Sequence, residues 1–295
     1  MEGNNTLNLF VDTQHVRLLT ITLGGVNPAQ ITLPAADIIL NSICDPDTNT
    51  KALMHAIEVL KASTIPVINP PQNIFRTTRD MSYKHLKGIK GVLMPKNIRI
   101  TPRRISEVPL LLEKEGLEYP YIFRSAGEHG GSGMALVKDE KDLSLLEQFA
   151  FDGRDFYAIE FVDFCSDDGL YRKYRIVIID GKVYPRHLII SKSWNIHSET
   201  RAELMDSDKK YKEEELEYLR HPHPALEQQC LEIYEAMGLD FLGIDCHINE
   251  KGEMLIFEVN TCMRIIVDNP IDYTRPFIDH IRSAFMEMLE SRIST

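Results

Sequence analysis

Residues 241–260 read FLGIDCHINEKGEMLIFEVN, two apolar runs (241–248 and 254–260) joined by the polar tip NEKGE. The pattern predicts a β-hairpin, and a two-residue turn at Lys251-Gly252 sets Asp245 opposite Glu258. Asn260 then shares the face of Glu258, because successive side chains alternate along a strand. Directly opposed Cβ atoms sit about 4.5–5.5 Å apart, where like charges repel. Two carboxylates and an amide oxygen converging between apolar strands make a poor core. They suit a hard divalent cation, which takes oxygen ligands and removes the repulsion. A register slip of one residue would instead send the acids to opposite faces and leave one in water.

Working outward, GLYRKYRIVIIDGKVYPRHLIIS (169–191) carries a second hairpin signal at Asp180-Gly181. That turn places Arg175 opposite Arg186, with Lys173 on the face of Arg175. Paired arginines across a ladder are destabilising unless an anion sits near them; the alternative is a solvated edge with surface carboxylates as partners. Upstream, FRSAGEHGGSGM (123–134) lies between two predicted strands, with Gly127, Gly130, Gly131 and Gly133 leaving its amides open. Such a loop can wrap phosphate oxygens, with Arg124 and His129 adding charge. It is neither the Walker pattern nor a Rossmann fingerprint, since a strand and not a helix follows; glycine-rich hairpin loops are also often only loops.

The 295 residues allow two or three subdomains. With 33 Lys and Arg against 44 Asp and Glu the net charge is −11, which argues against a nucleic-acid partner or an anionic membrane surface. No apolar run approaches the roughly 18–20 residues of a membrane helix, and the opening Met-Glu-Gly-Asn-Asn-Thr is not expected to be a signal peptide. Five scattered cysteines without a Cys-x-x-Cys pair predict reduced thiols in a cytoplasmic protein. The first seventy residues mix apolar runs (7–11, 16–23, 36–43) with a helical pattern at Ala52, Ala56, Ile57 and Leu60, which suggests a small α/β unit ended by Asn69-Pro70-Pro71. Two helices are expected within 79–116, and a short one at 143–149. Strands are expected at 121–123, 135–137 and 157–162. Residues 199–224, dense in charge, read as a solvated insertion or mobile loop. Leu226, Cys230, Ile233, Tyr234 and Met237 predict a helix ended by Gly238, and Ile278, Ile281, Phe285, Met288 and Leu289 a second one after Pro276. His221 and His223 lack a third ligand, adjacent Cys246 and His247 point to opposite faces, and Trp194 either walls a pocket or packs.

In order, these motifs resemble the ATP-grasp superfamily over roughly residues 70–270, most of all the ATP-grasp domains attached to tetratricopeptide-repeat proteins, through the NPP…TxRD, GLYRKYR and DGxxYPxH segments. The resemblance implies a mixed α/β and α+β fold. An N-terminal α/β domain (1–72) would be followed by a small lobe with a glycine-rich lid (73–160) and a C-terminal lobe with the metal site (161–295). It implies ATP as substrate and Mg²⁺ (or Mn²⁺) held by Asp245, Glu258 and Asn260. Glu160, Phe161 and Val162 would form the adenine hinge, and Gly130, Gly131, Ser132 and Gly133 the phosphate lid. Arg124 stands where a phosphate-binding lysine is usual, which keeps the charge and changes the geometry. Lys84 is the nearest candidate for a further phosphate lysine, and Asp163, Asp167 or Asp168 for the ribose acid. Arg175 matches the arginine that reaches the γ-phosphate, and Lys173, Arg186 and His187 are candidates for an anionic substrate end. The implied activity is a carboxylate–amine or carboxylate–thiol ligase working through an acyl phosphate on a small molecule or peptide. Two alternatives are a kinase for a polyanionic metabolite and an ATP-binding module without turnover. Dimers are common in the superfamily, so a homodimer is also an expectation.

Overall fold

Alternation of apolar and charged residues along three long strands decides how the layers stack. A computed structural model describes residues 9–23, 25, 27–128, 133–197, 201–266 and 271–293, with only the backbone of Ala202. In chain order, β1 (Ile39–Leu40), α1 (Pro46–Leu60) and β2 (Val67–Ile68) make a small parallel unit, followed by α2 (Pro71–Ile74) and α3 (Arg79–Leu86). Next come β3 (Val92–Leu93), β4 (Asn97–Ile100), α4 (Val108–Lys114), β5 (Tyr121–Ser125), β6 (Met134–Val137), β7 (Phe156–Glu160), β8 (Tyr171–Ile179) and β9 (Lys182–Ser191). The chain closes with α5 (Arg201–Met205), α6 (Lys209–Arg220), α7 (Ala225–Met237), β10 (Phe241–Ile248), β11 (Met254–Asn260) and α8 (Arg275–Ile293). Two larger sheets result, one ordered β3-β11-β10-β8-β9 and one ordered β4-β7-β5-β6.

On one face of the five-stranded sheet, Ile176, Ile178, Leu242, Ile244 and Val259 pack with α7 (Ile233, Met237) and with Leu86 of α3. On the other face, Val177, Ile179 and Phe241 meet Phe285 and Ile281 of α8, joined by Phe10 and Val11. Further along that second face, period-two alternation turns the same rows to Lys173, Arg175 and Asp245, which face a cleft. The four-stranded sheet buries Phe123, Phe156 and Ala158 against Val108 and Leu112 of α4, and turns Ile122, Arg124 and Ile159 toward the charged rows.

Both hairpin registers depend on an extra residue. Asp180 and Gly181 both have positive φ, as the predicted turn requires, and Ile176 pairs with Pro185. A β-bulge then inserts Arg186, so Arg175 pairs with His187 and not with Arg186 as expected. Pro185 has no N–H to give the ladder, which suits the bulge to this point. In the last hairpin Asp245 does face Glu258, yet the tip holds three residues with Gly252 at φ +76°. That shifts the register by one near the tip, and a bulge at Phe257 restores it.

The segment read as a solvated insertion is a correction: 201–205 and 209–220 are helices whose Leu204, Met205, Tyr218 and Leu219 pack on Leu188 and Ile190 of β9. Composition concealed this because Glu215, an apparent surface charge, is fully buried. It is bonded to Arg201, to the Tyr273 hydroxyl at 2.6 Å and to the Leu188 N–H at 3.2 Å. The runs at 7–11 and 16–23 form no strand among their described residues, and 140–148 is a 3-10 helix. The expectation of five reduced thiols also fails. Cys44 and Cys262 form a disulfide across 218 residues of chain, a pairing that local spacing cannot announce.

Removing one partner of a buried ion pair strands the other charge, so Glu215→Ala should cost about 3–5 kcal/mol in urea unfolding. The double replacement Arg201→Met with Glu215→Met should recover most of that loss. Equal costs for the single and double variants would contradict the pairing.

Candidate functional site

The charged rows and the four-stranded sheet enclose a cleft of about 970 Å³. One end is apolar, walled by Ile122, Ile159, Phe164, Leu255 and Phe257, with Trp194 edge-on to Phe161 at 5.6 Å between ring centres. Trp194 thus both packs and walls the cleft. Glu160, Phe161 and Val162 edge this end where the chain passes between the sheets. The Glu160 carboxylate accepts the Lys96 N–H at 3.0 Å, and the Phe161 N–H donates to the Pro120 carbonyl at 3.1 Å.

The other end gathers opposite charges. Asp245 is buried and receives Arg175 through Nε at 2.7 Å and Nη2 at 2.8 Å, with Lys173 Nζ at 3.5 Å. Burial raises its carboxyl pKa, but Arg175 and Lys173 outweigh burial and hold it below the usual carboxylate value. Glu258 pairs with Arg79 at 3.0 Å, and Arg79 also donates to the Phe257 carbonyl at 2.7 Å. Asn260 Oδ1 accepts the Cys262 N–H at 2.8 Å. Asp245, Glu258 and Asn260 all face the cleft. Two carboxylates and an amide oxygen fit Mg²⁺ in donor type, since that ion is bound through one or two carboxylates plus substrate phosphates and seldom by an all-protein cage. No group of three His, Cys, Asp or Glu side chains that could hold a metal ion by themselves occurs among the described residues.

Arg124 lies on β5 with its side chain buried. It donates to the Glu128 carbonyl and to Met134 Sδ, and its Nε has no partner among the described residues. Burial, then neighbouring Arg79, lowers its pKa to about 10. Arg186 is alike: buried, bonded through Nε to the Ile265 carbonyl at 2.5 Å, and lowered to about 10 by burial and by Arg175. Beside it, His187 Nε2 has no partner among the described residues, and burial followed by Arg175 and Arg186 drives its pKa well below the ordinary value. A buried cation held by carbonyls and not by a carboxylate is costly, so an anion beside Arg124 and Arg186 would offset that cost, whereas His187 stays neutral.

Of the candidate residues, Arg124, Glu160, Phe161, Val162, Lys173, Arg175, Arg186, His187, Asp245, Glu258 and Asn260 come together around this one cleft. His129, Gly130, Gly131 and Ser132 lie outside the described residues, and Gly133, at φ +64°, begins the turn into β6. Lys84 does not join the site; it is exposed on α3, with Met81 Sδ 3.8 Å from its Nζ. Asp168 lies away from the cleft wall in an ion pair with Arg172 at 2.7 Å. Arg79, Arg201 and Arg264 line the cleft without having been expected there, and Arg79 reaches Glu258. Arg79 stands in the TTRD stretch, where an arginine and not a lysine supplies the charge. Asp45 also escaped notice, although it caps α1 at the cleft's edge.

No family model matches this chain, and no curated protein matches it. Solved structures do resemble it. An ATP-grasp RimK domain protein from Sphaerobacter thermophilus aligns at TM-score 0.53 and 13% identity, over 92% of this chain and 86% of the other. The VanG D-Ala:D-Ser ligase of Enterococcus faecalis gives 0.52 at 14%, over 87% and 74%. D-alanine–D-alanine ligase from Bacillus anthracis, solved with ATP, gives 0.51 at 15%, over 87% and 79%. The chain has the fold these proteins share.

Inorganic tripolyphosphate should raise the unfolding temperature of the wild-type protein and leave that of Arg124→Met unchanged. Without the anion, Arg124→Met should cost no more than about 1 kcal/mol, because the lost charge is buried with an unpartnered Nε and only a carbonyl and a thioether as acceptors among the described residues. An equal shift in both proteins would place the anion elsewhere.

Proposed function

We propose, from an ATP-grasp fold as the premise, that this chain is an ATP-dependent ligase joining a carboxylate to an amine or thiol. The observation that carries the proposal is the division of the cleft into an apolar slot and a charged end. In the charged end, Arg79, Arg124, Lys173 and Arg175 face Asp245, Glu258 and Asn260. In the ligand-free protein the acids and cations neutralise one another. A triphosphate and a divalent cation would substitute for each set of partners with groups of the same sign, so the balance survives loading.

The adenine would enter the apolar slot, edged by Glu160, Phe161 and Val162. Arg124 and Arg79 would hold phosphate oxygens, and Arg175 would steady the γ-phosphoryl group. Mg²⁺ or Mn²⁺, held by Asp245, Glu258 and Asn260, would supply charge neutralisation at the phosphates. The reaction needs positioning and fixed charge more than covalent help from the protein. The γ-phosphoryl group passes to a substrate carboxylate oxygen, releasing ADP. An amine or thiol then attacks the acyl carbon, and phosphate leaves. Lys173, Arg186 and His187, which line the same cleft, would hold an anionic end of a small-molecule or peptide substrate.

With ATP, Mg²⁺ and a panel of carboxylates, hydroxylamine should capture an acyl phosphate as a hydroxamate. A stable phosphorylated product would instead identify a kinase, and nucleotide binding without ADP formation a non-catalytic module. Glu258→Gln should lower ADP formation by roughly a hundredfold or more while leaving the circular dichroism spectrum intact. Turnover near the wild-type rate in that variant would remove Glu258 from the site.

A further inference from the structure

The disulfide stands in the wall of the cleft's charged end. Cys44 and Cys262 border a recess together with Asp45, Arg79, Gly127, Glu258 and Asn260. Cys44 is buried, whereas Cys262 is partly exposed and faces the main cleft. Three walls converge on this bond. Asp45, beside Cys44, caps α1 by accepting the Asp47 N–H at 3.0 Å and the Thr48 hydroxyl at 2.6 Å. The Thr48 methyl abuts Gly127, where a Cβ would approach it to 2.9 Å, so the α1 start supports the base of the glycine-rich loop. On the far side, the Cys262 N–H orients the Asn260 amide at 2.8 Å, and the carbonyls of Arg264 and Ile265 receive Arg175 at 3.4 Å and Arg186 at 2.5 Å.

We infer that the Cys44–Cys262 disulfide is a reversible thiol-exchange site that sets the geometry of the charged end, so that opening it weakens nucleotide binding. Its effect on nucleotide rests on the ligase reading above; the exchange itself does not. A small thiolate entering the cleft attacks Cys262 Sγ, the Sγ–Sγ bond breaks, and Cys44 leaves as the thiolate. A second thiol resolves the mixed disulfide, freeing Cys262 and forming a low-mass disulfide, which serves as the oxidant for the reverse step. Met263, Ile265 and Ile266 remain buried against Phe10 and Ile68, so opening loosens the wall without unfolding the lobe.

The test uses the full chain, oxidised or treated with glutathione, beside a Cys44→Ser, Cys262→Ser double variant. Denatured without reductant, the oxidised protein should show three reactive thiols, and five after reduction. Hydrogen exchange in 41–48 and 258–266 should quicken on reduction. The Kd for Mg²⁺ with a non-hydrolysable ATP analogue should weaken at least about fivefold, and the bound analogue should shift the thiol–disulfide equilibrium toward the disulfide by the same factor. The double variant should bind as the reduced protein does in either condition; if it does not fold, the reduced wild type carries the comparison. Five reactive thiols before reduction, unchanged exchange, or equal affinity in both states would each overturn the inference. Faster exchange on reduction with no nucleotide binding in either state would uphold the clasp and sink the ligase reading instead.

Discussion

One sheet face that is apolar at one end and charged at the other governs the rest of the architecture. Along β8 the odd positions run Lys173, Arg175, Val177, Ile179, and along β10 Asp245 precedes them in space where Phe241 follows. Helix α8 can bury Val177, Ile179 and Phe241 because it offers Ile281 and Phe285 in return. Arg175 and Asp245 instead pair with each other, with Asp245 buried. The second half of the face is therefore left to a separate sheet that closes over it at a distance. The cleft is the consequence of a single change in polarity along three strands.

Much of that was legible from residue order. Alternation in 169–191 and 241–260 located the hairpins, and Asp180-Gly181 adopts the positive φ pair that its turn demands. Register was harder. The opposition of Asp245 and Glu258 follows from the assumed two-residue turn only because two departures cancel, a longer tip and the bulge at Phe257. Nothing cancels in the other hairpin, and the bulge exchanges Arg186 for His187 across from Arg175. Pro185 was the available clue, since a proline inside a ladder points to an edge or a bulge.

The features that stayed hidden share one property: their meaning comes from residues far away in the chain. Glu215 looks like one acid among many in a charged run until Arg201 and Tyr273 close around it. Arg79 reads as an ordinary helix start until Glu258, almost 180 positions on, reaches it. Cys44 and Cys262 carry no mutual signal. Periodicity is blind to such pairings, because it reports which face a residue takes and not what that face meets.

The distribution of unsatisfied charge says more about purpose than any one motif does. A chain of net charge −11 has ample carboxylate to neutralise its arginines, and does so for Arg172, Arg175 and Arg201. Arg124 and Arg186 are nevertheless buried against carbonyls, with lowered pKa values, on opposite walls of the same cavity. A fold under selection for stability alone would replace both with apolar side chains of similar size, at no loss and often some gain. Under the proposed ligase function their burial would be preorganisation: desolvation is borne by the folded protein before any anion arrives, so that an arriving anion would meet a charge already stripped of water.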